Sequence, residues 1–181
     1  EMIRKKSMKN AKFFQEYSDQ MTDLIQKGYA ERIPEIDRAD NGRIWYLPHH
    51  GVHHPRKPGK VRIVFDFAAR YQGTSLNDEL LQGPDMTNSL VDVLLRFREE
   101  EIAIMGDIES MFMMICVPEE DRDLLRFMWW LNNDINSEPE SYRMTRHVFG
   151  ATSSPSCANY ALRRTALEFG HCFEPEVPNT I

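Results

Sequence analysis

Apolar residues at Ala11, Phe14, Tyr17, Met21, Leu24 and Ile25 recur at helical intervals, with Lys, Gln, Glu and Asp between them. That pattern predicts a helix over residues 8–28 with one buried face, ended by Gly28. Residues 29–42 are charged and turn-prone and end in Asp40-Asn41-Gly42. Arg43 to Leu47 is a short aromatic and branched run, which predicts a strand stopped by Pro48. Val61 to Phe67 reads as another strand, and Pro58-Gly59 ahead of it is a turn signal that makes a hairpin tip.

The next segments alternate helix and strand without a regular βαβ rhythm. Ser75 or Asn77 caps a short helix running to Leu81, and Gly83-Pro84-Asp85 breaks it. A second helix then passes through Met86, Leu90, Val93, Leu94 and Phe97, with Asp85 or Thr87 as its cap and Arg96 and Arg98 near its end. The run from Ile102 to Phe112 is apolar, bounded by acids, and predicts a buried strand that ends in Asp107. That carboxylate is either an N-cap for the residues behind it or a group held there for chemistry. Pro118 opens a short acidic helix, followed by an aromatic-rich strand from Leu124 to Trp130 and a loop at Asn132-Asn133-Asp134. Tyr142, Met144 and Val148 alternate with Arg143, Thr145 and His147, so this strand pairs antiparallel with the one before it. Phe149 to Pro155 is a loop of small residues, and Ser154 as N-cap with Pro155 behind it starts a helix ended by Gly170. The fold class is α+β.

Composition narrows the function classes. A chain of 181 residues makes one ordinary domain or two lobes of something larger. No apolar run approaches the ~20 residues of a membrane helix, so no membrane partner is expected. The start, EMIRKKSMKN, lacks the apolar core of a secretory signal, and Glu1 suggests a piece of a longer polypeptide. Cys116, Cys157 and Cys172 are odd in number and widely spaced, which argues against disulfides and a four-thiolate zinc site and for a reducing, intracellular setting.

A net charge of −6 gives no global attraction to nucleic acid, so any such surface is local. Arg56, Lys57, Lys60 and Arg62, with no acid among them, flank the hairpin tip and supply one. Arg62 either lies on an exposed strand face with its stem packed down or aims its guanidinium at a phosphate. His49, His50, His53 and His54 raise the alternative of a zinc module. Gly51 and Pro55 disfavour one helix through them, and no Glu follows His49, so a solvated loop is expected.

Three blocks stand in a telling order: KVRIVFD from Lys60 to Asp66, MGDIESMF from Met105 to Phe112, and FGATSSP from Phe149 to Pro155. Together they resemble the fingers and first half of the palm of a reverse transcriptase. The longer stretches YLPHHGVHHPRKPGKVRIVFDFAARYQGTSLNDELLQGPD, DRDLLRFMWW and YRMTRHVFGATSSPSCAN are similar to polymerases of BEL/Pao-type LTR retrotransposons. The resemblance runs from about Tyr46 to about Phe169 and implies right-hand polymerase fingers and an incomplete palm. Fingers would take residues 1–78 and 115–152, and palm residues 79–114 and 153–181.

The chemistry implied is deoxynucleotide addition to a primer, which uses two divalent cations ~3.5–4 Å apart. Mg2+ or Mn2+ would take the carboxylate of Asp107 and the carbonyl of Ile108. Glu109, Ser110, Met111 and Phe112 would face the triphosphate with their backbone N–H groups. The Phe112 ring matches the gate that excludes a 2′-hydroxyl, although plain core packing is its other reading. Arg62 matches the fingers arginine that lies on the incoming base. Lys60 is the nearest match to the fingers lysine, with Lys57 also in reach. Phe149, Gly150, Ser154 and Pro155 match the turn beside nucleotide and template, and Phe149 stands where some related polymerases have Gln.

The resemblance also has a gap. The second catalytic block, an aromatic residue followed by x-Asp-Asp, should come after the Ser154 helix, yet no Asp-Asp occurs and no Asp follows Asp134. The cations are therefore expected only where that motif is present, and this polypeptide alone is expected to be inactive. No ribonuclease H, integrase or aspartic-protease signature is visible. The implied partners are template–primer, deoxynucleoside triphosphates and the rest of the Pol polyprotein, in the cytoplasm and in a virus-like particle. Two alternatives stay open: a non-catalytic retroelement remnant that binds RNA, and the zinc module on His49–His54.

Overall fold

A computed structural model describes residues 2–38, 42–53 and 61–172. The chain starts with α1 (Met2–Lys9) and α2 (Ala11–Gln26). The Asn10 side chain accepts the N–H of Phe13 and so caps α2, and Gly28 ends it in a left-handed conformation with φ +67°. Tyr17 and Met21 are buried, as the apolar period predicts, but Phe13 takes the buried place one turn earlier, while Ala11 is exposed and Phe14 half-buried. The edge strand β1 (Ala30–Arg32) follows.

The strand expected over residues 43–47 reduces to a single parallel bridge between Tyr46 and Arg126. Trp45 and Leu47 bond the main chain of Asp123 and Arg126, and Pro48, which has no N–H, stops the pairing. Next, β2 (His49–His53) pairs antiparallel with β3 (Val61–Phe65), with His49 opposite Phe65 and His53 opposite Val61. Residues 49–53 are thus a strand, and the expected solvated loop is corrected. The cause is the partner: β3 satisfies the backbone of residues 49–53, and a pleated strand turns His49 inward and leaves His50 exposed. The hairpin tip, with Arg56, Lys57 and Lys60, lies outside the described residues.

A short α3 (Leu76–Glu79) opens with a capping box: Ser75 Oγ accepts from the Asp78 N–H, and the Asp78 carboxylate accepts from the Ser75 N–H. The following helix is shorter than predicted, α4 (Leu90–Arg96). Neither Asp85 nor Thr87 caps it, because Asp85 Oδ1 accepts from the N–H and hydroxyl of Thr87 and closes a local turn instead. No α4 residue is buried.

After 3₁₀ turns at Met111–Met114 and Glu119–Leu125 come β4 (Arg126–Trp129) and β5 (Glu140–Met144). They form the predicted antiparallel hairpin, with β5 central in the order β1-β5-β4. The last helix is α5 (Ser154–Phe169). Gly170 does not stop it in a left-handed turn; its φ is −57° and it leads into a 3₁₀ turn ending at Cys172. The architecture is mixed α+β, as the pattern predicts.

One aromatic core joins these pieces. Phe13, Tyr17 and Met21 of α2 meet Val61 and Phe65 of β3 and Phe127 and Trp129 of β4, all nearly solvent-free. Burying such rings contributes about 1.5–3 kcal/mol each. At the sheet edge Arg126 is 1% exposed, and its Nε donates to Asp123 Oδ1 at 3.0 Å. The same oxygen accepts from Arg143 Nη1 at 3.1 Å, and Arg143 Nε donates to Glu31 at 2.7 Å. One carboxylate oxygen thus bridges two guanidinium groups that the sheet brings together, and Arg126 Nη2 also donates to the Asp37 carbonyl at 3.0 Å.

Candidate functional site

β3 alternates, with Val61 and Phe65 inward and Arg62 on the exposed face. The guanidinium carbon of Arg62 lies over the ring of Phe149, 5.9 Å from its centroid. Phe149 in turn meets Phe112, with centroids 4.5 Å apart and planes tilted by 62°. Three predicted site residues, far apart in sequence, therefore converge on one surface.

The turn under Phe149 is held from below. Gly150 has φ +108°, and a Cβ there would lie 3.0 Å from the carbonyl oxygen of Phe65 and 3.2 Å from the Phe67 ring. Only glycine fits that backbone and that space. Asn77 Nδ2 donates to the Gly150 carbonyl at 2.9 Å, while Asn77 Oδ1 accepts the Thr152 N–H at 2.9 Å. In the sequence Asn77 stands only as a candidate cap for the short helix. Its position beside Ser75, which already caps α3, was the signal that its amide is free for another task.

Ser154 is fully buried, and its hydroxyl donates to the Val148 carbonyl at 2.9 Å. It is not the predicted N-cap, a position that falls to Ser153, which makes no side-chain capping bond. The reason is burial: under the loop, the hydroxyl satisfies a carbonyl that water does not reach. Pro155 lies in the first turn of α5 and is exposed. Beside Ser154, desolvation lowers the pKa of the half-buried His147 ring below the usual histidine range.

The predicted catalytic segment is placed differently. Residues 102–108 form no strand, and Ile102, Ile104 and Met105 are 80–89% exposed. Among the described residues no strand lies beside them, and an extended segment without a pairing partner or a covering layer has nothing to hold it in a sheet. Asp107 is exposed and makes no hydrogen bond or ion pair with described residues. It caps nothing either, since the following 3₁₀ turn starts from Ser110, which is left-handed at φ +53°. Ile108, Glu109 and Ser110 are exposed, and Met111 and Phe112 are half-buried. Lys60 lies outside the described residues.

A pair of divalent cations does not fit these residues by themselves. Two-metal chemistry needs several carboxylate oxygens around both ions. Asp107 and the Ile108 carbonyl offer one carboxylate and one neutral oxygen. Among the described residues no three His, Cys, Asp or Glu side chains gather around a common point. That holds for zinc as well, and His49 is committed to the core.

No known protein-family model matches the chain, and neither does any curated protein. Among the described residues no helix is long and apolar enough to cross a membrane.

Proposed function

We propose that this chain is the nucleotide-facing portion of an RNA-directed DNA polymerase of the LTR-retrotransposon type. In this reading it adds deoxynucleotides to a primer when an Asp-Asp hairpin supplies the remaining carboxylates. The convergence of Arg62, Phe149 and Phe112 on an exposed face carries the reading. A guanidinium supplies donors and charge for a triphosphate, and exposed rings supply a surface for base and sugar.

The sheet supports it too. β1 comes from residues 1–78 and β4–β5 from residues 115–152, so the two segments assigned to fingers share one sheet. Residues 87–110, assigned to palm, are all exposed. The exposed apolar side chains among them, such as Leu90, Leu94, Ile102 and Ile104, suit a surface onto which a catalytic hairpin docks. The partners in this reading are template–primer, deoxynucleoside triphosphates and the rest of a Pol polyprotein, within the cytoplasm and a virus-like particle.

With a lone carboxylate, the 181 residues do not extend a primer. A primer-extension assay with Mg2+ tests this, and extension above an Asp107→Asn control would sink it. Binding of a template–primer duplex tests the reading at large. Affinity should fall steeply with salt and weaken in Arg62→Ala, because phosphate contacts release counterions. Absence of binding at low salt overturns the proposal. The lone exposed Asp107 also favours a second reading, a non-catalytic RNA-binding remnant. A longer polypeptide carrying the Asp-Asp hairpin distinguishes the two: primer extension decides for the polymerase, and binding without extension for the remnant.

A further inference from the structure

We infer that the cavity between α5 and residues 115–125 is a binding site for an uncharged, largely aromatic small molecule. Its volume is about 760 Å³, within the usual range for sites that enclose such ligands. Arg62, Phe112 and Phe149 do not line it. The site is therefore separate from the proposed nucleotide face and stands whether or not the chain is a polymerase.

Three stretches of the chain wall the cavity, within residues 67–86, 115–125 and 147–161. Hydrogen bonds hold these walls in place. The Val117 N–H donates to the Thr145 carbonyl at 2.9 Å, and Arg122 Nε donates to the Val117 carbonyl at 3.1 Å. Arg163 Nη2, from α5, donates to the Met86 carbonyl at 2.9 Å. Gly83 lets the turn before Met86 lie directly on α5: its φ is +76°, and a Cβ there would sit 2.5 Å from Ser156 Oγ. The space is thus formed before any ligand arrives, as small-molecule sites mostly are.

The lining sets the chemistry. Leu76, Leu80, Ile115, Leu124 and Ala161 present hydrocarbon, and Met86 and Cys157 present sulfur. Water gains few hydrogen bonds against such walls, whereas an apolar ring recovers the dispersion contacts that open space denies them. Polarisable sulfur favours an aromatic occupant. Among the described lining residues Asp121 supplies the one carboxylate, and Arg43 Nη2 donates to it at 2.7 Å, so it does not call for a cation. His147, kept neutral near pH 7 by burial, does not call for an anion. The Ser153 hydroxyl makes no capping bond at α5 and lines the space, which leaves it to orient one polar atom of the ligand.

The experiment uses N-phenyl-1-naphthylamine, an uncharged probe that fluoresces in apolar surroundings, with the full 181-residue chain. Fluorescence should rise to saturation at one probe per chain. The thermal midpoint should rise with probe concentration, because only the folded chain holds the site. Cys157 lines the cavity and Cys172 does not. At about ten times its dissociation constant, the probe should slow N-ethylmaleimide labelling of Cys157 about tenfold and leave Cys172 unchanged. Ala161→Trp fills the space and should abolish the fluorescence rise. Leu167→Trp puts the same ring on an exposed part of α5 and should leave binding intact. Absence of saturable binding overturns the inference, and so does binding that leaves Cys157 unprotected or persists in a folded Ala161→Trp. The labelling needs no variant, so it decides even where Ala161→Trp does not fold. A polypeptide extended through the Asp-Asp hairpin should bind the probe too; loss of binding there gives the cavity to the chain's own next segment and overturns the inference.

Discussion

The Tyr17 phenol on α2 hydrogen-bonds Nδ1 of His49 on β2, and His49 Nε2 lies 2.9 Å from the carbonyl oxygen of Met128 on β4. A carbonyl only accepts, so Nε2 carries the proton and Nδ1 accepts from the phenol. One imidazole thus joins three elements of the core, and neither nitrogen is left for zinc. Burial raises the pKa of the Tyr17 phenol, which keeps it a donor across the working range.

The first prediction concerns acid. Burial lowers the His49 pKa from 6.5 to about 4, against a smaller opposing effect of the Met128 carbonyl. The folded value lies below the unfolded one, so the unfolded chain binds the proton more readily. Stability is complete above pH 6.5, falls as pH drops, and has lost this contribution once pH passes below about 4. The loss amounts to about 3 kcal/mol. His147, also lowered by burial, acts in the same direction. Urea midpoints between pH 7.5 and 4.5 should fall in the wild type and fall less in His49→Gln. Equal slopes in the two proteins would refute the assignment.

Gly51 marks where α2 lies on the β2–β3 hairpin. A Cβ there would sit 2.7 Å from both Tyr17 Cδ2 and Val61 Cγ1 and 2.8 Å from Phe13 Cζ. These are buried ring and valine atoms with little freedom to move. Gly51→Ala should cost about 1–3 kcal/mol through overpacking. Thermal denaturation checks it, with Gly106→Ala as a contrast, since no heavy atom lies within 4 Å of a Cβ at that glycine and its φ is not positive.

Asp123 holds the Arg126 and Arg143 guanidinium groups. Burial works to raise its pKa, but the bonds from the two arginines outweigh it and leave the carboxyl below its ordinary range. Asp123→Ala should destabilise by about 3 kcal/mol, because it leaves a solvent-free arginine without its carboxylate. The double change Asp123→Leu with Arg126→Met should cost less than Asp123→Ala alone. Chemical denaturation of the two variants gives the comparison.

Asp107 is exposed and unpartnered among the described residues, so Asp107→Asn should shift stability by no more than about 0.5 kcal/mol. A larger drop in the denaturation midpoint would mean that the carboxylate is structural and would remove it from the catalytic reading.

Local signals were legible where one segment decides its own structure. The period of Tyr17 and Met21, a cap at Ser75, the strand from Val61 and the alternation along β5 each depend on neighbours in the chain. The candidate site was legible only in part. Arg62, Phe112 and Phe149 stood out singly, yet nothing in their spacing said that the rings touch. The strand expected at residues 102–108 failed because hydrophobic pattern specifies a face to bury, not the strand that must lie beside it.

The sequence by itself determined the α+β class, most helix and strand positions and the residues with chemical promise, because period, caps and turn residues act within a few positions. Tertiary structure alone decided that His49 is a core residue and not a ligand, that Ser154 bonds a buried carbonyl, and that Asn77 clamps the Gly150 turn. It also decided that Phe149 stands between Arg62 and Phe112. Those outcomes depend on which distant groups the fold brings within hydrogen-bond or van der Waals reach, and a local pattern carries no record of that.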